Sequence, residues 1–386
     1  MFSARTGWDL TPNRLSSLLE ARRKRGDAVL DLTETNPTRV GIAYPPDLLA
    51  PLAGPAALSY EPSPRGLASA REAVSADHAR RGTPVHPGRV LLAASTSEAY
   101  AWLFKLLCDP GDAVLVPRPS YPLFAYLARL ESVGVHPYAL SYDGEWHLSR
   151  DAVREALTPR TRAVVVVSPN NPTGSYLKRA EAEALLELCA ERALAVISDE
   201  VFADYAFGPD PRRMESLAGD GPALAFSLGG LSKSCGLPQL KLAWIAVSGP
   251  EKWRAPALAR LEVVADTYLS VSTPVQVAAP ALLARRRELQ RPIAERVAAN
   301  RDALRRRIGR GAPASLLDAE GGWYAVLQVP ATESEEERVT RLLEEHGVLV
   351  HPGYFFDFPG EAFLVLSLLP PRDVFDEAVD HIIAVL

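Results

Sequence analysis

Lysine and cysteine are both scarce in this chain. Three cysteines (Cys108, Cys189, Cys235), far apart and without a Cys-x-x-Cys, exclude a disulfide scaffold and point to a reducing compartment. No cluster suited to a metal is expected. No apolar run exceeds a handful of residues, Ala163 to Val167 being one, so nothing spans a bilayer as a helix. The N-terminus, MFSARTGWDLTP, carries no apolar stretch of signal-peptide length. Net charge is only −5, which gives no electrostatic footprint for nucleic acid or an anionic membrane. The expectation is a soluble, cytoplasmic protein with neither partner.

Only six lysines occur, Lys24, Lys105, Lys178, Lys233, Lys241 and Lys252; the other 36 of the 42 cations are arginine. A lysine in an apolar neighbourhood is therefore a candidate for amine chemistry, which arginine cannot perform. Lys233 and Lys241 have such surroundings.

The 386 residues suffice for two to three domains. Strand and helix signals alternate from Arg89: RVLLAA, a helix over 98–107, strand 113–116, helix 123–130, strand AVVVV (163–167), helix 179–191, and strands 195–198, 223–227 and 242–247. Helices are also read at 13–25 and 67–81. This rhythm predicts an α/β fold with a mostly parallel sheet flanked by helices. Near 275 the rhythm changes to a long Arg-rich helical stretch, 276–308, with a possible break at Pro292. Strands at 323–329, 348–351 and 363–368 and helices at 333–346 and 374–386 follow, an α+β pattern predicting a smaller second domain. The Arg-rich helix is interleaved with Glu and reads as a solvated face.

Ligands of open α/β sheets bind beyond the carboxyl ends of the strands. Four strand ends carry polar chemistry. Ser95-Thr96-Ser97-Glu98 fits a capping box, and the helix N-terminus it opens would also hold a phosphate. Ser168-Pro-Asn-Asn-Pro-Thr-Gly174 is a rigid turn that offers asparagine side chains. Asp199, leaving a buried strand, needs a partner: a helix N-terminus or a cationic ring nitrogen. Ser227-Leu-Gly-Gly-Leu-Ser-Lys233 puts a lysine after a glycine-rich turn, where a Schiff base to a pyridoxal is chemically suited. A separate Ser175-x-x-Lys178 could found a serine acylase, but lacks partner motifs.

Asn171-Pro-Thr-Gly, Asp199-Glu-Val and Ser232-Lys233, in this order and spacing, resemble the fold-type I pyridoxal-phosphate aminotransferases of class I/II. Gly111-Asp112, Pro119-x-Tyr121-Pro and the Gly321-Gly322-aromatic strand extend the likeness over nearly the whole chain. The resemblance implies pyridoxal 5'-phosphate as cofactor, with an amino donor and a keto or aldehyde acceptor as substrates. It implies that Lys233 forms the Schiff base and moves the substrate proton, and that Asp199 pairs with the ring nitrogen. Asn171 would meet the ring's phenolic oxygen, Tyr121 would stack on the ring, and Ser95, Thr96 and Ser232 would surround the phosphate. Tyr60 would reach the partner subunit's phosphate, implying a homodimer with shared sites. Residues 1–40 would join 275–386 in the small domain, leaving 41–274 as the large cofactor-binding domain.

Three positions depart from the family's pattern. Lys241 stands where a phosphate-binding arginine is usual, Phe202 where a tyrosine is usual, and Val365 where an arginine grips the substrate carboxylate. Arg39 is the candidate replacement for that grip. A lyase or decarboxylase of the same fold, or a non-catalytic pyridoxal-binding regulator, are the other readings; fewer than about 30 residues precede Leu30, too few for the regulator's DNA-binding module.

Overall fold

In the computed structural model, which describes residues 1–386, the strands form an eight-stranded sheet, a four-stranded sheet and a two-stranded one. The large sheet runs Val90–Ala93, Ala243–Ser248, Ala225–Gly230, Ala195–Asp199, Thr161–Val167, Ala113–Arg118, Gly134–Tyr142, Trp146–Leu148. Its five central strands, from 225–230 to 134–142, pair in parallel. Strand 243–248 is antiparallel to both neighbours, and 146–148 is antiparallel to 134–142.

Strand 161–167 is apolar throughout its centre because both faces are covered. Ala163 and Val165 pack with Leu103, Phe104 and Ile197 on one side; Val164 and Val166 pack with Leu185, Leu188 and Val196 on the other. Helices Thr96–Leu107 and Glu251–Tyr268 cover the first side, and Arg179–Glu191 the second.

The expected elements are present, most within three residues of their expected ends. Strands 134–142 and 146–148 and helices Arg150–Ala156 and Glu251–Tyr268 were not expected. Pro137 and Pro256 interrupt the periodicity of the two longest. The break in the Arg-rich stretch is corrected: it falls at Arg285, between helices Thr273–Ala284 and Arg286–Ile308, and Pro292 lies inside the second helix. The expected strand 348–351 is likewise divided. Val348–Leu349 pairs in parallel with Leu30–Asp31, whereas His351–Pro352 joins the small sheet of Ser315–Leu316, Tyr324–Gln328 and Phe363–Ser367.

The two chain ends meet. Besides the 30–31 pairing, Ser367 Oγ donates to Glu34 O at 2.7 Å, and Leu15, Leu32 and Val40 share one apolar core with Trp323, Val365 and Phe375.

One helix joins this core to the large sheet's ligand edge. Arg286 is 2% exposed and ion-paired to Asp77 and, at 2.9 Å, to Asp204. One turn later, Gln290 Nε2 donates to Ser234 O at 2.7 Å. Farther along, Arg296 Nη1 donates to Val40 O and Leu369 O, and Asn300 Nδ2 to Leu368 O and Pro370 O. Removing one member of a buried charge pair leaves its partners uncompensated, at a cost of about 3–5 kcal/mol. Arg286→Ala should lower unfolding stability by that order in a urea titration. A loss below about 1 kcal/mol would show that solvent already screens Asp77 and Asp204.

Candidate active site

A cleft of about 180 Å³ opens at the carboxyl ends of the parallel strands. Six residues expected from the sequence line it together: Thr96, Tyr121, Asn171, Asp199, Ser232 and Lys233.

Asp199 ends strand 195–199. Its Oδ1 accepts from Val201 N at 3.2 Å and its Oδ2 from the Tyr100 hydroxyl at 3.1 Å. The helix N-cap alternative for Asp199 is not what forms, since a turn rather than a helix follows. Burial pushes its pKa up to about 6, although both hydrogen bonds pull it down. Lys233 sits in the short helix Leu231–Ser234, directly after strand 225–230. Its Nζ lies 4.8 Å from the Trp323 ring centroid and 5.3 Å from that of Phe202. Burial lowers its pKa to about 8, with Asp199 pulling it back up. Both are half-buried, and neither makes a salt bridge, whereas the fully enclosed Arg286 does.

The Asn-Asn turn divides its labour. Asn170 knits the turn, donating from Nδ2 to Pro119 O at 3.0 Å and to Thr173 Oγ1 at 2.9 Å. Asn171 faces the cleft, and its buried Oδ1 has no partner. Gly174 closes the turn at φ +71°; a Cβ there would lie 2.4 Å from Gly321 O. The motif's glycine is thus the point where the segment leading into strand Tyr324–Gln328 docks.

Four expected residues lie outside this lining. Ser95 is the cap of helix 96–107, its Oγ accepting from Glu98 N at 3.1 Å. The capping box is only half formed, because Glu98 Oε2 accepts from Ala94 N at 2.6 Å rather than from Ser95 N. Lys241 is exposed, in the left-handed region at φ +51°. Tyr60 is 73% exposed, beside Trp102 and Ser270 in a separate groove. The Arg39 side chain is 73% exposed and 3.9 Å from Glu34. Val365 lies opposite Val326 in the small sheet, sealed in the apolar core. The acylase pair is also corrected: Lys178 Nζ is ion-paired to Glu320 and donates to Tyr176 O, and Ser175 Oγ bonds Thr173 Oγ1 at 2.9 Å.

Tyr100, Thr35 and Tyr324 are cleft residues that sequence reading missed. No local motif marks Thr35 or Tyr324; Tyr100, one turn into the helix after the Ser-Thr-Ser run, faces the sheet and was findable by its spacing. Three residues past Phe202, the Tyr205 hydroxyl donates to Lys233 O at 2.8 Å.

The profile of the family described as aminotransferase class I and II matches residues 52–382. The glutamate-pyruvate aminotransferase AlaA of Escherichia coli is 27% identical over 368 residues, covering 92% of this chain and 90% of that protein. The arginine–pyruvate transaminase AruH of Pseudomonas aeruginosa is 30% identical, covering 82% of this chain and 80% of its own length. The alanine aminotransferase structure from Pyrococcus furiosus superimposes with a TM-score of 0.89 at 25% identity, covering 100% of this chain and 99% of that one. The chain belongs to the class I and II aminotransferases. It is a transaminase, moving an amino group between an amino donor and a carbonyl acceptor, and the lyase, decarboxylase and regulator readings give way to that.

A carboxylate whose folded pKa is raised contributes its full stability below the unfolded value, and loses it as pH rises through the folded one. For Asp199 that window runs from the ordinary 3.8 to about 6. Cofactor-free Asp199→Asn should therefore exceed the cofactor-free native protein in stability at pH 8, by at most about 3 kcal/mol. The gap should close as pH falls toward 4. Urea unfolding at both pH values checks this; a native protein at least as stable at pH 8 would mean that Asp199 is not a desolvated charge.

Proposed function

We propose that the cleft holds pyridoxal 5'-phosphate, with Lys233 bonded to it and serving as the proton carrier of the amino transfer. The single observation carrying this is the unneutralised pair at the cleft floor. Lys233 and Asp199 are both desolvated, and neither has an ion-pair partner. A group bearing an aldehyde at one side and a basic ring nitrogen at another satisfies both. The Asn171 side-chain amide, the hydroxyls of Thr96, Ser97 and Ser232, and the N-terminus of helix 96–107 offer N–H and O–H donors for the group's oxygen atoms.

When bound, the cofactor's pyridine ring supplies an electron sink for the carbon that bears the amino group. The chain supplies everything else. Asp199, held at both oxygens by Tyr100 and Val201, keeps a proton on the ring nitrogen. Lys233, with a pKa near 8, has a substantial neutral fraction at pH 7–8 and can both attack a carbonyl and take a proton from carbon. Trp323 and Phe202 keep water from its Nζ. Tyr121 offers a ring face at the cleft mouth.

The same reading divides the chain into a cofactor-binding unit, 41–274, and a smaller unit of 1–40 with 275–386. The pairing of Leu30–Asp31 with Val348–Leu349 supports that division. It also includes a homodimer, supported by the exposed Leu58, Tyr60, Tyr268 and Leu269, with Tyr60 and Lys241 directed to the shared sites. Three free cysteines suit a cytoplasmic setting.

Borohydride reduction followed by peptide mapping should place the cofactor on Lys233, and Lys233→Ala should lose the visible chromophore and at least 10³-fold of kcat. A label on Lys241 or Lys178 would sink the assignment.

A further inference from the structure

The cleft of this transaminase has an unusual charge inventory. Lys233 is the one cationic residue in its lining. Around Lys233 and Asp199 the walls are Tyr121, Leu123, Phe124, Leu127, Val201 and Phe202. Cations on neighbouring segments lie outside that lining. Arg118 donates to Asp357 O at 2.9 Å and pairs with its carboxylate at 3.1 Å. Arg296 spends its Nη1 on the Val40 and Leu369 carbonyls. Arg39 points to solvent beside Glu34. His351 pairs across the small sheet with Val365 and packs on Phe355 and Phe356, and its burial leaves it neutral at pH 7.

What the cleft offers beyond Lys233 is neutral. The Tyr324 hydroxyl lies beside the Thr35 and Asn171 side chains, an uncharged hydrogen-bonding trio at the small-sheet wall. A carboxylate on the carbon next to the amine would enter this desolvated space with no guanidinium of its own chain in the lining to meet it, and Asp199 at the floor would repel it.

We propose that the amino donor of this enzyme is a largely apolar primary amine, uncharged apart from the amino group itself, whose amine-bearing carbon carries no carboxylate. The net reaction is R–CH2–NH2 plus a carbonyl acceptor giving R–CHO plus the acceptor's amine, with nitrogen, hydrogen and oxygen conserved. The apolar R group lies against the aromatic and leucine walls, and Thr35, Asn171 and Tyr324 recognise uncharged polar atoms on it. This rests on Lys233 and Asp199 being the cofactor pair.

The test compares matched donors on the cofactor-loaded enzyme: 2-phenylethylamine against phenylalanine, and 3-methylbutylamine against leucine. Each is followed as the half-reaction that bleaches the lysine-linked chromophore. The amines should exceed their amino acids at least tenfold in kcat/KM. An equilibrium arm, read by tryptophan fluorescence, needs no turnover: 2-phenylethanol should bind at least tenfold tighter than 3-phenylpropanoate. Amino acids that match or outperform the amines, or 3-phenylpropanoate binding as well as the alcohol, would overturn the proposal. So would inertness of both members of each pair in a protein whose chromophore maps to Lys233. A tenfold rise in KM for phenylalanine alone in Arg39→Ala would overturn it too, because Arg39 would then be closing onto the carboxylate. Absence of any reducible chromophore would instead overturn the cofactor reading and this inference with it.

Discussion

An amine and a carboxylate, both desolvated and unpaired, lie at the same end of one parallel sheet. Had Lys233 and Asp199 been in ion-pair contact, each would have relaxed toward its ordinary pKa and the cleft floor would be inert. The fold prevents that contact. Asp199 is held from both sides by Tyr100 and Val201, while Trp323 and Phe202 crowd the lysine. Each restraint comes from a different part of the chain: the first helix after the Ser-Thr-Ser run, the turn after strand 195–199, and the approach to the small sheet. The site exists only when all three are assembled.

That assembly has a visible fastener. Arg286 and Gln290, one turn apart on the same helix, grip opposite sides of the floor. The first holds Asp204, whose neighbour Tyr205 bonds the Lys233 carbonyl; the second holds Ser234 O, next to the lysine itself. Ten residues on from each, Arg296 and Asn300 hold the chain ends through Val40, Leu368, Leu369 and Pro370. A single helix of 23 residues thus references the small sheet to Lys233. The buried charge of Arg286 is costly in isolation, but with two carboxylate partners it fixes one geometry where apolar contacts would tolerate several.

The legible part of the sequence was what short-range chemistry demands. AVVVV had to be a doubly covered strand, and Asn-Pro-Thr-Gly had to turn, since only glycine tolerates both the positive φ and the closeness of Gly321. Lys233, Asp199 and Asn171 were readable because each follows a strong strand signal. Thr35 and Tyr324 were not, because their arrival at the cleft depends on register between segments about 290 residues apart; Ser367 is bonded to Glu34 O and pairs with Tyr324. The Pro137 and Pro256 elements were missed for the opposite reason, as tertiary packing overrode a local breaker.

The few lysines of the chain meet different surroundings. Lys178 is among the most buried cations and does no amine chemistry; its charge is consumed by Glu320, as an arginine's would be. Lys241, also in apolar sequence surroundings, is exposed. Apolar neighbours in sequence therefore do not by themselves mark a reactive amine. What separates Lys233 is desolvation in a cleft without a counter-ion; the enclosed guanidinium groups Arg286 and Arg338 both have carboxylate or carbonyl partners. A desolvated arginine cannot discharge its cost by losing a proton, whereas a lysine can, at about pH 8. The chain's preference for arginine thus leaves the unpaired cleft position to a cation able to become neutral there, and neutrality is what the amine chemistry proposed for it requires.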